Sequence, residues 1–388
     1  MRKIGIYIHI PFCVKKCNYC DFNSGPYSVE IQQKYVDSLC KEMIAKSQFF
    51  SCYQVDTVFI GGGTPSILVA HLIGKIFDTL NKYYRVSNDA EISIECNPGT
   101  CNEDKLKQYL SLGINRISFG LQSTNNDQLA VLGRIHRYED FLKSYNDARS
   151  AGFTNINVDL MGAIPNQNLE SFKEGLLKIK GIGPEHLSIY SLIIEEGTPF
   201  YNMNLNLADE DEEREMVHII PSTLGDEYHQ YEISNYAKKG YECKHNIKYW
   251  KRDEYVGFGV SAASLLSFDY TNSVDYDSFA NEPCFRYKNI ANVNDYISFD
   301  GDILKLNDER ECLEQSDIES EYIFLGLRMN EGIFLPDYTK RFNKNIFDEY
   351  NNAVNKHIEN GLLIREGDRL YLSERGRDLS NYVFKDFV

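Results

Sequence analysis

Six short apolar runs that predict β-strands alternate with segments of helical spacing through the first half of the chain. The runs are Ile4–Ile10, Val55–Ile60, Glu91–Glu95, Arg116–Gln122, Asn155–Leu160 and His186–Leu192. Helices are predicted between them at 28–50, 66–83, 103–112, 126–132, 138–151 and 169–179. Strands joined by helical crossovers run parallel and cross over with a right hand. The sequence therefore predicts an α/β fold, an open parallel (β/α)6 partial barrel.

Polar residues and glycines gather where the predicted strands end. They are Cys13, Cys17 and Cys20 after the first strand, Gly62, Gly63 and Thr64 after the second, Glu95, Gln122 and Asp159. In parallel sheets, ligands bind at the carboxyl ends of the strands. We therefore expect these residues to line one site.

Three cysteines stand at spacings of three and two in the loop that leaves the first strand. Thiolates so close in sequence can reach one metal centre, either zinc or an iron–sulfur cluster. Four cysteines complete the coordination of a [4Fe–4S] cluster, so Cys13, Cys17 and Cys20 leave one iron open. A zinc knuckle and three buried structural cysteines are the alternatives.

Composition excludes several classes of protein. The chain has 388 residues, of which 43% are hydrophobic, and a net charge of −16. A surface so acidic disfavours nucleic acid as a partner. No signal peptide and no transmembrane run of about 18 apolar residues is recognisable. The clustered cysteine trio favours a reducing compartment, so we expect a cytoplasmic protein.

The second half of the chain predicts an extension and a small terminal module. The acidic run Asp209–Glu213 opens a predicted helix to Leu224, and the region 268–300 looks polar and irregular. Helices at 314–329 and 347–360, followed by a hairpin at 362–372, predict a winged-helix-like α+β module. The expected domains are a barrel at 1–205, an extension at 206–300 and the C-terminal module at 301–388.

The cysteine spacing and the Gly61-Gly-Gly-Thr-Pro65 turn resemble the radical S-adenosylmethionine (SAM) superfamily. The resemblance implies a [4Fe–4S] cluster on the three cysteines, with SAM chelating the open iron and yielding a 5′-deoxyadenosyl radical. It also implies that Gly62, Gly63 and Thr64 contact the SAM amino group and that Glu95 binds the ribose. By the same likeness, Gln122, Arg134 and Asp159 line the cofactor, Arg134 pairs with the SAM carboxylate, and Tyr7 and Tyr19 flank the cluster loop.

Further motifs narrow the resemblance to the oxygen-independent coproporphyrinogen III oxidase group. They are Ile8-His-Ile-Pro-Phe-Cys13, Ser118-Phe-Gly-Leu-Gln-Ser123 and Asp159-Leu-Met-Gly-Ala-Ile-Pro165. This group contains decarboxylating oxidases of HemN type and haem chaperones of HemW type. The oxidases carry a fourth cysteine where this chain has Phe22, and an N-terminal extension that is not seen here. Both departures favour the chaperone branch.

The segment His245-Asn246-x-x-Tyr249-Trp250 is similar to a motif associated with haem binding in the chaperone branch. A histidine imidazole is a good iron ligand, aromatic rings can pack on a porphyrin face, and Cys243 is a second soft ligand nearby. The alternative is a packing element in which His245 is hydrogen-bonded in the core.

The expected function is therefore that of a radical SAM haem chaperone, which binds a cluster, SAM and haem and transfers haem to an acceptor protein. Its alternative is the oxidase reaction, from coproporphyrinogen III to protoporphyrinogen IX. The resemblance leaves the acceptor open and allows peripheral contact with a membrane haem protein.

Overall fold

A computed structural model of the chain describes residues 1–267 and 284–388. Six strands and six helices alternate over the first half: β1 (Arg2–Ile10), α1 (Val29–Lys46), β2 (Tyr53–Gly62), α2 (Ala70–Tyr83), β3 (Val86–Cys96), α3 (Glu103–Ser111), β4 (Arg116–Gln122), α4 (Asn126–Val131), α5 (Tyr138–Ala151), β5 (Ile156–Gly162), α6 (Leu169–Ile182) and β6 (His186–Ser191). The six strands are neighbours in chain order and all run parallel. The predicted (β/α)6 partial barrel is confirmed.

Asparagine and serine side chains define where several of these helices begin. Ser28, Asn102 and Asn168 each accept a hydrogen bond from a backbone N–H in the first turn of the helix that follows. Such caps satisfy donors that have no partner inside a helix. The helices are thereby fixed at their amino ends, next to the strand ends that carry the polar residues.

Further elements extend the sheet on both sides. They are α7 (Glu210–Leu224), β7 (His229–Glu232), β8 (Asn235–Ala237), α8 (Lys244–Trp250), β9 (Tyr255–Phe258), β10 (Ala263–Leu266), β11 (Cys284–Asn289), α9 (Val293–Ile297) and β12 (Asn307–Leu313). Strands β1 to β12 form one twelve-stranded sheet in the order β12-β11-β10-β9-β1-β2-β3-β4-β5-β6-β8-β7. Strand β9 pairs parallel with β1, whereas β8 pairs antiparallel with β6.

The structure agrees with the prediction for the acidic run Asp209–Glu213 and differs from the prediction for the region after residue 267. Asp209 caps α7 and the following acids occupy its first turn, as predicted from the helix dipole. The prediction of irregular structure for 268–300 is wrong for its described part, because β11 and α9 lie there. Its first part, 268–283, lies outside the described residues.

The C-terminal module has its own three-stranded sheet and apolar core. Its elements are α10 (Gln315–Gly326), β13 (Ile333–Phe334), α11 (Leu335–Phe342), α12 (Ile346–Glu349), α13 (Asn351–Glu359), β14 (Leu363–Glu366), β15 (Arg369–Leu372), α14 (Glu374–Asp378) and α15 (Ser380–Phe384). The strands pair antiparallel in the order β13-β15-β14. The predicted helix at 347–360 is interrupted at Tyr350, whose backbone is not helical.

The main core fills the space between the sheet and the surrounding helices. Every strand from β1 to β6 contributes fully buried apolar side chains, among them Ile6, Val58, Ile94 and Phe119. None of the helices in the described parts of the chain is both long and apolar enough to cross a membrane.

Candidate cluster and cofactor site

A cavity of about 860 Å³ opens at the carboxyl ends of the parallel strands. Its wall includes Cys13, Cys17, Cys20, Tyr7, Tyr19, Gly62, Gly63, Thr64, Glu95, Gln122, Arg134, Asp159, Asn246 and Tyr249. Fourteen of the sixteen site residues expected from the sequence therefore meet in one place. The two that do not line it are His245 and Trp250.

The cysteine loop is held in place by backbone hydrogen bonds to three neighbouring segments. The N–H of Cys13 donates to the carbonyl of Gly25 at 2.9 Å, and the N–H of Asn18 donates to that of Leu132, also at 2.9 Å. The N–H of Thr64 reaches the carbonyl of Phe12 at 2.8 Å. The loop is thus anchored to β2 and α4, while its three cysteines carry free thiols.

The glycine turn after β2 approaches the cysteine loop too closely for any side chain. A Cβ on Gly63 would lie 3.0 Å from Cys13 Sγ, and one on Gly62, whose φ is +112°, would lie 2.6 Å from the His9 ring. Glycine is required where backbone approaches a ligand loop this closely. Thr64 Oγ1 lies 3.6 Å from Cys13 Sγ, so the turn directly flanks the first thiol.

Two of the carboxyl groups that line the cavity, those of Glu95 and Asp159, hold their protons more tightly than usual. Burial, and then the neighbouring Asp159, raise the pKa of Glu95 to about 8. Burial also raises the pKa of Asp159, although a hydrogen bond from Asn157 Nδ2 at 2.7 Å opposes that rise. Glu95 Oε2 accepts the N–H of Gly62 at 3.0 Å, which links β3 to the glycine turn.

Arg134 brings a positive charge against the cysteine loop. Its Nη1 donates to Cys17 Sγ at 3.4 Å and its Nη2 to Asn97 Oδ1 at 2.7 Å. Its Nε is buried and has no hydrogen-bond partner. Asn97 Nδ2 also donates to Thr64 Oγ1 at 2.7 Å, so this one amide positions two of the expected cofactor residues.

The residues present fit a [4Fe–4S] cluster and SAM. Three free thiols line the cavity beside a glycine cradle that admits no side chain. The unpartnered Arg134 Nε and the protonated carboxyl of Glu95 offer donors to a carboxylate and to ribose hydroxyls. SAM is an amino acid joined to a nucleoside, and these groups can bind its carboxylate and its ribose.

Tyrosines form part of the remaining polar wall of the cavity, among them Tyr7, Tyr19 and Tyr190. Tyr7 Oη lies 2.9 Å from His9 Nδ1, and Tyr190 Oη donates to Gln122 Oε1 at 2.9 Å. Burial raises the pKa of Tyr7 and of Tyr19, so both phenols stay neutral. Gln122 has a φ of +73°, which turns the chain sharply at the end of β4.

His245 packs against side chains of β2 and does not line the cavity. Its side chain is 1% exposed and its ring stacks on Phe59, with 5.4 Å between centroids. Nδ1 lies 2.9 Å from Thr57 Oγ1 and Nε2 lies 2.9 Å from Tyr249 Oη. Burial lowers its pKa to about 3, so the imidazole is neutral with both nitrogens engaged.

The other residues of the segment face different neighbours. Asn246 and Tyr249 line the cavity, whereas Trp250 faces the C-terminal module and lies 4.4 Å from the guanidinium of Arg328. Cys243 is fully buried, and burial raises the pKa of its thiol to about 12. The geometry in this conformation matches the packing alternative for His245 and Cys243 rather than open iron ligands.

Sequence reasoning missed several residues of the site. In the sequence, Asn97 opens an Asn-Pro-Gly turn that is typical of a strand end, and His9 lies within the predicted strand Ile4–Ile10. Arg116, Ser188 and Tyr190 also line the cavity. The alternation of strand β1 was the available signal for His9, because it puts His9 on the same face as Tyr7.

Family models match two parts of the chain. The model of the radical SAM superfamily matches residues 7–179, and that of the HemN C-terminal domain matches residues 313–379. Among solved structures, coproporphyrinogen III oxidase (HemN) from Escherichia coli superposes with a TM-score of 0.84 at 21% identity. That superposition covers 100% of this chain and 90% of the other, and shows a shared fold.

Curated relatives match over almost the whole length. The heme chaperone HemW of Bacillus subtilis is 34% identical over 98% of both chains, and that of Lactococcus lactis is 32% identical over 98% of this chain and 96% of its own. The heme chaperone HemW of Escherichia coli is 38% identical over 68% of this chain and 71% of its own. The chain therefore belongs to the HemW family of the radical SAM superfamily.

Proposed function

We propose that this protein binds a [4Fe–4S] cluster, SAM and haem, and transfers the haem to an acceptor protein. The observation that carries the proposal is the single cavity onto which three free thiols, a glycine cradle and the expected cofactor residues converge. Membership in a family whose curated members are named heme chaperones supports the choice of haem.

In this proposal Cys13, Cys17 and Cys20 hold the cluster, and the cavity wall orients SAM beside it. The Arg134 guanidinium stabilises negative charge at Cys17 and leaves its Nε for the SAM carboxylate. The Glu95 carboxyl donates a hydrogen bond to a ribose oxygen, since its raised pKa keeps it protonated near neutral pH. Together, a bound cluster and SAM supply one-electron reductive cleavage of SAM.

For haem we propose the His245–Trp250 segment, with Asn246 and Tyr249 facing the cavity. His245 can donate electrons to iron only if Thr57 or Tyr249 first releases a ring nitrogen. The cavity mouth is bordered by Phe22 and Ile193, which are 58% and 70% exposed. Exposed apolar side chains beside a cavity suit the flat apolar face of a porphyrin.

The test is an anaerobic haem titration of the cluster-loaded protein, run beside an assay with coproporphyrinogen III. We expect one haem per chain, read from a Soret band, and no vinyl-bearing product. Absence of haem binding would contradict the proposal. A control with the cluster-free protein separates haem bound by the fold from haem captured by exposed thiols.

The second candidate is the oxidase reaction on coproporphyrinogen III, which the shared fold with a HemN structure keeps open. Phe22 stands against it, because an exposed phenylalanine at the cavity rim occupies the position where the oxidases carry a further cysteine. Formation of protoporphyrinogen IX above background would favour this candidate.

A further inference from the structure

Two buried cysteines flank a tight turn at the end of β3. Cys96 ends the strand and is 2% exposed, and Cys101 precedes the cap of α3 and is 7% exposed. The N–H of Thr100 donates to the carbonyl of Asn97 at 3.1 Å and closes the turn between them. Cys96 and Cys101 flank this turn, and the Cys96 thiol is the main cause of a lowered pKa at Cys101.

The surroundings of Cys101 favour its thiolate and give it access to solvent molecules. The ammonium of Lys105 donates to the carbonyl of Thr100 at 3.2 Å, and its charge further lowers the pKa of Cys101. A surface groove of about 360 Å³ is lined by Cys101, Lys105, Lys143 and Ser144. A small disulfide can therefore approach Cys101 from the outer face of the barrel.

Cys96 lies on the other side, in the wall of the cofactor cavity. The next residue, Asn97, holds Thr64 and Arg134 through hydrogen bonds of 2.7 Å each. Its own N–H donates to Ser66 Oγ at 3.2 Å. A change in the geometry of the turn is transmitted to these contacts, because Asn97 belongs to the turn itself.

We propose that Cys96 and Cys101 are a redox-active dithiol, oxidised by small disulfides such as oxidised glutathione, and that the disulfide weakens SAM binding by displacing Asn97. Cys101 attacks one sulfur of glutathione disulfide, and one glutathione thiolate leaves. The Cys96 sulfur then attacks Cys101, loses its proton and expels the second glutathione. The two protein thiols lose two electrons and two protons, and one glutathione disulfide becomes two glutathione thiols.

The sequence makes the disulfide easy to detect. Trypsin releases residues 86–105 as one peptide, because no lysine or arginine lies between Arg85 and Lys105. That peptide contains Cys96 and Cys101 and no other cysteine. We expect cluster-loaded protein treated anaerobically with oxidised glutathione to yield this peptide two hydrogens lighter and unalkylated, and dithiothreitol to restore two alkylation sites.

Cys52 and Cys312, which are exposed and distant in sequence from other cysteines, serve as internal controls. We expect them to form mixed disulfides with glutathione under the same conditions. A 86–105 peptide that keeps two alkylatable thiols while Cys52 is modified would overturn the proposal. In Cys101→Ser and Cys96→Ala the light peptide should be absent.

The effect on SAM rests on the SAM site proposed above and is measured separately by equilibrium dialysis with labelled SAM. Oxidation should weaken binding about three- to tenfold, the effect of losing one or two hydrogen bonds. Cys101→Ser should bind SAM equally well before and after the oxidant. Unchanged affinity in the oxidised native chain overturns the coupling, while failure of the reduced protein to bind SAM overturns the SAM site and leaves the disulfide readout intact.

Discussion

Cys13, Cys17 and Cys20 come from one short loop after β1. They line one cavity together, whereas Cys40 is packed alone in the core and Cys312 lies alone on an exposed strand. We predict that Cys13→Ala, Cys17→Ala and Cys20→Ala each abolish a cluster of about four iron and four sulfide per chain. Iron and sulfide analysis after anaerobic reconstitution is the measurement.

The matched controls for this experiment are Cys40→Ala and Cys312→Ala, which should keep the full iron content. Retention of the cluster in the triple variant would show that its ligands lie elsewhere in the chain.

Asn97 is a positioning residue, because one amide holds both Thr64 and Arg134. We predict that Asn97→Ala weakens SAM binding by about 1–2 kcal/mol, the scale for losing hydrogen bonds to a charged group, and leaves the iron content unchanged. Equilibrium dialysis measures the first and iron analysis the second. Asn102→Ala is a suitable comparison, since that asparagine caps α3 outside the cavity. Equal SAM affinity in both variants would contradict the role given to Asn97.

Glu95 should make the stability of the cluster-free protein depend on pH. Its pKa rises from 4.5 to about 8 on folding, so between these values the native chain keeps a proton that the unfolded chain has lost. The free energy of unfolding therefore falls as pH rises through this window. The stabilisation that comes from the proton on Glu95 is complete only below about pH 4.5. We predict that Glu95→Gln makes Tm fall less between about pH 5 and 8. Parallel pH profiles in both proteins would refute this.

At the scale of secondary structure, helix α8 is held against strands β2 and β3. Glu91, from β3, accepts the backbone N–H groups of Lys244 and His245 at 3.1 Å each and thereby caps the helix from another element. The His245 ring then packs on Phe59 of β2. A helix of seven residues is too short to be stable alone, so these contacts hold it in place.

Tyr249→Phe tests whether His245 binds haem iron. The substitution removes the hydroxyl that engages His245 Nε2 and keeps the ring that packs edge-on against Tyr255. If His245 is the ligand, we expect haem to bind several-fold more tightly, because no hydrogen bond has to be broken first. A Soret titration of both proteins gives the ratio of affinities, with Tyr241→Phe as the control. Unchanged affinity would leave His245 as a packing residue.

The strands and helices of the first half were predictable because each carries its own periodic pattern and several of the helices also carry a capping side chain. Strand β9 was not, since four residues with two glycines nearby give no period, and its parallel pairing with β1 depends on a partner 250 residues away. The position of α8 was equally hidden, because Thr57 and Glu91 come from distant strands. Local sequence therefore predicted the strand ends that line the cavity, but not the placement of β9 and α8.

At the scale of the whole molecule, we propose three units, at 1–205, 206–300 and 301–388. The middle unit provides the contacts that join the barrel to the C-terminal module. β12 pairs with β11 in the main sheet, and the separate apolar core includes residues from Leu313 onward. Arg252, two residues after the end of α8, contributes a buried ion pair to this contact. Its Nε donates to Glu321 Oε2 of α10 at 2.8 Å, and Arg286 contacts the same carboxylate.

Removing Glu321 should loosen this contact. The Arg252 side chain is 2% exposed and that of Glu321 12%, so Glu321→Ala leaves a buried cation without its partner, a change that costs about 3–5 kcal/mol. We predict a lower Tm and separate unfolding of the module. Trp250, the one tryptophan of the chain, lies at this contact and reports its loss by fluorescence. Glu311→Ala is the control, because Glu311 also pairs with Arg286 but is 59% exposed. If both variants shift Trp250 fluorescence and Tm equally, the buried pair does not hold the module to the barrel.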